Sequence, residues 1–180
     1  IDAIATEHRL MPHLHLSLQA GDDLILKRMK RRHLRDDSIR FCHDIKKARP
    51  DIVFGADIIA GFPTESDDAF ENSLRLVDEC GLAFLHVFPY SPRPGTPAAK
   101  MPQVKSGLIK ERAKRLRDKG ADALTRHLQS LVGTEQNVLV ERGGIARTPC
   151  FTPVYVGDAH AAGSLIRVAI SGQDGTRLTI

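Results

Sequence analysis

A chain of 180 residues, 42% hydrophobic and 27% charged, has the balance of a globular protein with a packed core, and its length suits one ordinary domain or one and a half smaller ones. No apolar run reaches the ~18 residues that a membrane-crossing helix needs, so a helical membrane anchor within these residues is excluded and no membrane partner is expected. The formal charge of +4 permits a polyanionic partner without demanding one. Three widely spaced cysteines, Cys42, Cys80 and Cys150, exclude a disulfide framework and a self-contained C-x-x-C centre, and they point to the reducing cytoplasm. No secretory signal is visible, and the chain opens on Ile1 without a methionine, the expectation for a piece of a longer protein.

In chain order, His13–Leu18 predicts a strand with Leu14, Leu16 and Leu18 on one face and His13, His15 and Ser17 on the other. Asp22 or Asp23 predicts the cap of a short helix reaching Met29, and a second helix is expected from Asp36 or Asp37 to Ala48, ended by Pro50. Ile52–Phe62 carries the near-continuous apolar run of a buried parallel strand. Thr64 is the expected N-cap of the next helix, with Glu65, Asp67 and Asp68 in its first turn and Gly81 beyond its end. Leu82–Tyr90 predicts another strand, so strand, helix and strand alternate as in a parallel α/β sheet. A loop with Pro92, Pro94, Pro97 and Pro102 leads to a long helix near Val104–Val132, whose apolar ridge includes Ile109, Leu116 and Leu128 and whose remaining surface, Arg112 included, is basic. From Gly133 the pattern changes to short strands between glycine turns, at Val138–Glu141, Thr152–Val156, Leu165–Ile170 and Arg177–Ile180. This predicts a small all-β module, closed as a barrel to protect its edges.

Three motifs stand at strand ends. In His15-Leu16-Ser17-Leu18-Gln19-Ala20-Gly21 the polar residues face either a barrel lumen or a solvated edge. In Asp57-Ile58-Ile59-Ala60-Gly61-Phe62-Pro63, Asp57 is an acid within an apolar strand: a ligand-binding group at a strand end, or a structural carboxylate capping backbone amides. The segment His86-Val87-Phe88-Pro89-Tyr90-Ser91-Pro92-Arg93 presents Arg93 from a proline-stiffened loop, suited to an anion or simply to a structural corner. The densest positive stretch, Lys27–Arg40, reads as a solvated face or as a phosphate-binding surface.

In this order and spacing, His15-Leu-Ser-Leu-Gln-x-Gly, Asp57-x-Ile-x-Gly-Phe-Pro and Tyr90-Ser-x-Arg-x-Gly-Thr-x-Ala resemble the signatures of the radical SAM methylthiotransferases. The phrase HVFPYSPRPGTPAA most resembles the branch that acts on tRNA threonylcarbamoyladenosine, and the segment after Gly133 resembles the family's RNA-binding TRAM domain. The resemblance implies a partial (β/α) barrel of the radical SAM type over residues 1–132 and a TRAM-like β-barrel over residues 133–180. It implies S-adenosyl-L-methionine (SAM) held at the carboxyl ends of the strands by Ser17, Gln19, Asp57, Gly61 and Pro63, with Arg93 at the cofactor or substrate rim. The implied reaction inserts sulfur at an adenine carbon beside the anticodon and methylates it; no catalytic residue is assigned.

The family's intact members imply two [4Fe–4S] clusters, but the C-x-x-x-C-x-x-C motif is absent, so neither a cluster nor a metal is expected here and these residues are expected to be inactive alone. The implied partner is a tRNA anticodon arm, contacted by Arg28, Arg31, Arg32 and Arg35 and stacked on by Phe151 and Tyr155. Ala20 stands where the family pattern has serine and Thr64 where it has glycine. Rival readings are a methylthiotransferase acting on a ribosomal protein, disfavoured by Arg93 where that branch carries an acid, and a non-catalytic RNA-binding module. An incomplete barrel also leaves an exposed sheet edge, and self-association is expected from it.

Overall fold

The structure is a computed structural model that describes all residues, Ile1–Ile180. A short helix α1 (Asp2–Thr6) precedes β1 (His13–Gln19), α2 (Asp23–Arg28), α3 (Arg35–Ala48), β2 (Val53–Ala60), α4 (Asp67–Glu79), β3 (Leu82–Pro89) and the long α5 (Ser106–Leu131). The three strands form one parallel sheet in the order β1-β2-β3.

Alternation of side chains sorts the two faces of this sheet. Leu18, Phe54, Ala56, Ile58 and Leu82 point into a core shared with Ile45 of α3, Phe70 and Leu76 of α4 and Leu116 of α5. The helical layer therefore covers one face only. On the other face stand His15, Ser17, Asp57, His86 and Phe88, all exposed or partly so. A parallel sheet is normally covered on both sides. One apolar, helix-covered face and one polar, uncovered face is the arrangement of a barrel segment, whose inner face looks into a lumen.

Most expected elements are present, with corrections. Thr64 is not the N-cap of α4: Ser66 Oγ accepts from the Ala69 amide at 3.2 Å, while Thr64 sits in the left-handed region at φ 67°. That conformation suits glycine, which the family pattern carries there. Glu65 is turned inward and buried instead of lying in the first turn, and Arg112, read as surface, is 2% exposed. Helix α1 was absent from the sequence reading because five residues carry too little periodicity.

The tail contains β4 (Glu135–Val140), β5 (Ile145–Arg147), β6 (Pro153–Tyr155), β7 (Leu165–Ala169), β8 (Gly172–Gln173) and β9 (Leu178–Thr179). Strands β5 and β8, of three and two residues, escaped the sequence reading for the same reason as α1. The six strands form one sheet in the order β7-β4-β5-β6-β9-β8. Its two end strands are consecutive in the chain, so the sheet curls round on itself, but no ladder closes it. Val138, Val140, Val154, Ile170 and Leu178 fill its interior together with Leu128 from α5. The last turns of α5 thus belong to the core of the second sheet, and a helix common to both cores joins them.

Candidate functional site

The carboxyl ends of β1, β2 and β3 open on a cleft of about 430 Å³. Gln19 from β1, Asp57 and Ile59 from β2, Phe88 from β3, and Tyr90 and Arg93 beyond it are among its lining residues. Gln19 enters through a left-handed backbone, φ 70°, where β1 breaks its register with β2. The Tyr90 hydroxyl is buried without a hydrogen-bond partner, an orphaned polar group at the cleft wall. Of the six residues expected at a SAM pocket, the structure brings Gln19, Asp57 and Arg93 together here.

The other three lie elsewhere. Ser17 is exposed on the open face, and its carbonyl accepts from Arg31 Nη2 at 2.9 Å. Gly61 and Pro63 are buried beneath the rim. The Gly61 amide donates to the Glu65 carboxylate at 3.1 Å, and a Cβ at Gly61 would stand 2.6 Å from Ile109 Cγ1 of α5. Gly61 is therefore explained by the approach of α5 and by its φ of 76°.

An adjoining cleft of about 320 Å³ shares Gln19, Ile59, Thr96 and Ala98 with the first and adds Arg28 and Arg31. The basic stretch is thus continuous with the main cleft. Its members differ in freedom. Arg28 donates to Thr64 Oγ1 at 2.6 Å, Arg35 is ion-paired with Glu79 with its side chain 19% exposed, and Arg32 is exposed.

At the opposite end of the open face a third cleft, about 240 Å³, is bordered by His13, His15, His86, Arg147 and Phe151. Phe151, 54% exposed, stacks on the His13 ring with centroids 5.4 Å apart, and the Arg147 guanidinium lies 4.7 Å from its centre. Tyr155 is exposed as well, with Arg177 at 4.9 Å over its ring. Burial holds His13 below the usual imidazole range, helped by His15 and His127; burial does the same to His127, with Lys46 adding to it.

Between these clefts lies a constellation that the sequence reading did not assemble. His15 Nε2 is 2.8 Å and His86 Nδ1 3.3 Å from the same oxygen, Oδ1 of Asp57. The register explains the meeting: His86 pairs with Asp57, and His15 pairs with Gly55, two residues before Asp57 on the same face. The His15 ring occupies the space that a side chain at Gly55 would take, since a Cβ there would stand 2.8 Å from His15 Nδ1. Both histidines lie within the quoted motifs, but only the strand register could have shown that they converge.

Cys42, Cys80 and Cys150 are all buried. Cys42 of α3 and Cys80 at the end of α4 meet side chain to side chain in the core, whereas Cys150 contacts Thr148 and Thr152 beside the second sheet. One pair of thiols is short of the set that a [4Fe–4S] cluster needs, so these residues do not fit one.

A three-stranded parallel sheet with a cleft at its carboxyl ends is a frame on which α/β proteins bind ligands, and residues 1–77 match the Radical SAM superfamily. A threonylcarbamoyladenosine tRNA methylthiotransferase, MtaB, of Rickettsia prowazekii is 48% identical over 171 residues, covering 95% of this chain and 41% of the relative. The tRNA-2-methylthio-N(6)-dimethylallyladenosine synthases of Bartonella bacilliformis and Ruegeria pomeroyi are 38% and 39% identical over 181 residues, covering 94% of this chain and 40% of each relative. Over nearly its whole length the chain is thus similar to tRNA methylthiotransferases, and its first 77 residues match the Radical SAM superfamily. It spans 40–41% of the length of these curated relatives.

Proposed function

We propose that these residues are part of a tRNA methylthiotransferase that converts threonylcarbamoyladenosine beside the anticodon to its 2-methylthio derivative. The observation that carries the choice of substrate is the 48% identity to the threonylcarbamoyladenosine enzyme, against 38% and 39% to the dimethylallyladenosine enzymes over almost the same span. In this reading residues 1–132 are the C-terminal part of the radical SAM domain and residues 133–180 a TRAM-like RNA-binding module, working in the cytoplasm. The open sheet face is the lumen side, and its uncovered edge supports self-association of the isolated chain.

SAM fits the main cleft by chemistry: a carboxylate, a carboxamide and a guanidinium for its polar ends, aromatic walls at Phe88 and Tyr90, and the unpartnered Tyr90 hydroxyl. When bound, one SAM, on receiving an electron from the family's iron–sulfur cluster, would supply the radical that abstracts a hydrogen atom from the substrate carbon, and another would supply the methyl group. The protein's share is to hold and orient. Asp57, Gln19 and Arg93 are the groups placed to do so, while Ser17, Gly61 and Pro63 shape the surrounding strand and loop. The family's [4Fe–4S] clusters have no ligand set among these residues.

The test is nucleoside analysis of tRNA from cells that lack the endogenous activity and express the protein with its complete coding sequence. The expected result is a 2-methylthio mark on threonylcarbamoyladenosine. A mark on dimethylallyladenosine alone would move the protein to the other tRNA branch, and a mark on a ribosomal protein would overturn the tRNA assignment. Unmodified products, with tRNA still bound, would favour the non-catalytic module.

A further inference from the structure

We propose that His15, Asp57 and His86 form a binding site for a divalent transition-metal ion of the zinc or cobalt type on the open face of the sheet. The proposal does not rest on the substrate assigned above, but it shares Asp57 with the cleft proposed for SAM: Oδ1 is the metal ligand and Oδ2 is left to the cleft. It rests on convergence: one ligand atom from each residue, His15 Nε2, Asp57 Oδ1 and His86 Nδ1, all within 4.8 Å of one another.

The spacing is close to that of a coordination shell. With metal–ligand bonds of ~2.1 Å, ligand atoms in a tetrahedral site stand about 3.4 Å apart. To admit an ion, the 2.8 Å and 3.3 Å contacts to Asp57 must part slightly and the two histidine nitrogens, which lie within 4.8 Å of each other, must draw together. Those side chains are 35%, 28% and 63% exposed for His15, Asp57 and His86, so they have room to move. The protonation cost is low. A neutral imidazole carries its one proton on either nitrogen, and shifting it to the far nitrogen frees the lone pair that faces Asp57.

The backbone preorganises the site. All three residues stand on adjacent parallel strands, in the register that Gly55 permits by leaving space under the His15 ring. The two imidazole rings lie 4.8 Å apart at 37° and lean over the same carboxylate oxygen. The positive side chain that borders the neighbouring cleft, Arg147, is paired with Glu141 at 3.2 Å.

The donor set selects the ion. Two imidazoles and one carboxylate suit zinc, cobalt, nickel or ferrous iron, whereas magnesium and calcium prefer oxygen alone. Three protein ligands leave at least one position open, the pattern of a metal that exchanges a ligand rather than one that only braces a fold. Asp57 lines the upper cleft and both histidines the lower one, so the open position lies where those clefts meet.

The experiment is titration of the chelator-treated, thiol-reduced 180-residue chain with Co²⁺, followed by visible absorption. One saturable equivalent is expected, displaced by Zn²⁺, with d–d bands and no near-ultraviolet thiolate charge-transfer band. Asp57→Asn and His86→Gln should each weaken binding at least about tenfold, the lower end even for outer-shell changes at metal sites, with circular dichroism unchanged. His160→Gln, in an exposed turn, should bind as the parent does. If binding is not saturable by ~1 mM Co²⁺, or shows a thiolate band, or persists unchanged in Asp57→Asn, the cluster is a hydrogen-bonded trio only and the proposal is wrong.

Discussion

The guanidinium of Arg112, on the long helix α5, lies 2.9 Å from the carboxylate of Glu65, with their side chains 2% and 1% exposed. The same guanidinium donates to the Glu65 carbonyl at 3.0 Å and to Asp67 at 2.6 Å. Glu65 in turn accepts the Gly61 amide. One side chain of α5 thus clamps the whole loop that leads from β2 to α4 and underlies the main cleft.

Removing one partner of a buried pair leaves the other charge unpaired. Arg112→Ala should cost about 3–5 kcal/mol of folding stability, measured by urea denaturation. Burial already pushes the Glu65 carboxyl up, opposed by Arg112 and the Gly61 amide. Without Arg112 the folded state holds a proton on Glu65 that the unfolded state releases above about pH 4.3. The variant should therefore lose stability as pH rises from there toward neutrality, more steeply than the parent. An equal pH slope in both proteins would contradict this.

Gly61→Ala combines two penalties, a left-handed residue with a Cβ and a clash with Ile109. It should cost more than about 1 kcal/mol. Adding Ile109→Ala should relieve the clash but not the backbone strain, so the double variant is expected to lose less than the sum of the single losses. Strict additivity in the denaturation data would show that the side chains do not meet.

His127 couples the two sheets, with Nε2 2.8 Å from Thr152 Oγ1 and its ring edge-on to Phe84 at 5.7 Å. Its pKa is lowered in the folded state by burial, as is that of His13. Below about pH 6.5 the unfolded chain takes up protons that the folded chain resists, so stability should fall as pH drops through that range. His127→Gln, which preserves a hydrogen-bonding group, should flatten the fall. A melting temperature independent of pH between 5 and 7 would refute this (a window set by ordinary imidazole titration, roughly one unit on either side).

For RNA, the basic stretch and the second sheet should divide the work. The second sheet carries Arg142, Arg147, Arg167 and Arg177 against Glu135, Glu141, Asp158 and Asp174, so it lends little net charge. In the complete protein, neutralising Arg31 and Arg32 should weaken tRNA binding and reduce its salt dependence by up to about one unit of slope per lost phosphate contact. Tyr155→Ala should weaken binding with little change of slope, through lost stacking. Arg35→Gln should act chiefly on stability, because its charge is already matched by Glu79. Filter binding across a salt series separates these outcomes; unchanged affinity and slope in the Arg31/Arg32 variant would reduce the stretch to a solvated surface.

Anaerobic reconstitution of the 180-residue chain with iron and sulfide should yield no [4Fe–4S] signal, since it offers one buried pair of thiols, Cys42 and Cys80, and Cys150 in the other core, short of the set a cluster needs. A Mössbauer spectrum of about one cluster per chain, lost on cysteine substitution, would overturn this.

What the sequence alone determined were features with a local cause. The period-two alternation of His13–Gln19 set which residues of β1 face the core. Asp22 capped α2 through its own neighbours, the Leu24 and Ile25 amides, and the ridge from Ile109 to Leu128 marked α5 over most of its length. The tertiary structure decided what depends on register and crossing. His15 and Asp57 are 42 residues apart and Arg112 and Glu65 47, and no periodicity within a helix or strand reports on such distances. The same limit moved Thr64 from a cap to a left-handed turn and hid the packing of Gly61 against Ile109. At Gly61 and Glu65 the deciding neighbours, Ile109 and Arg112, arrive from α5; at Thr64 they are the Pro102 carbonyl, which accepts its amide at 3.1 Å, and Arg28, which donates to its hydroxyl, all distant in sequence.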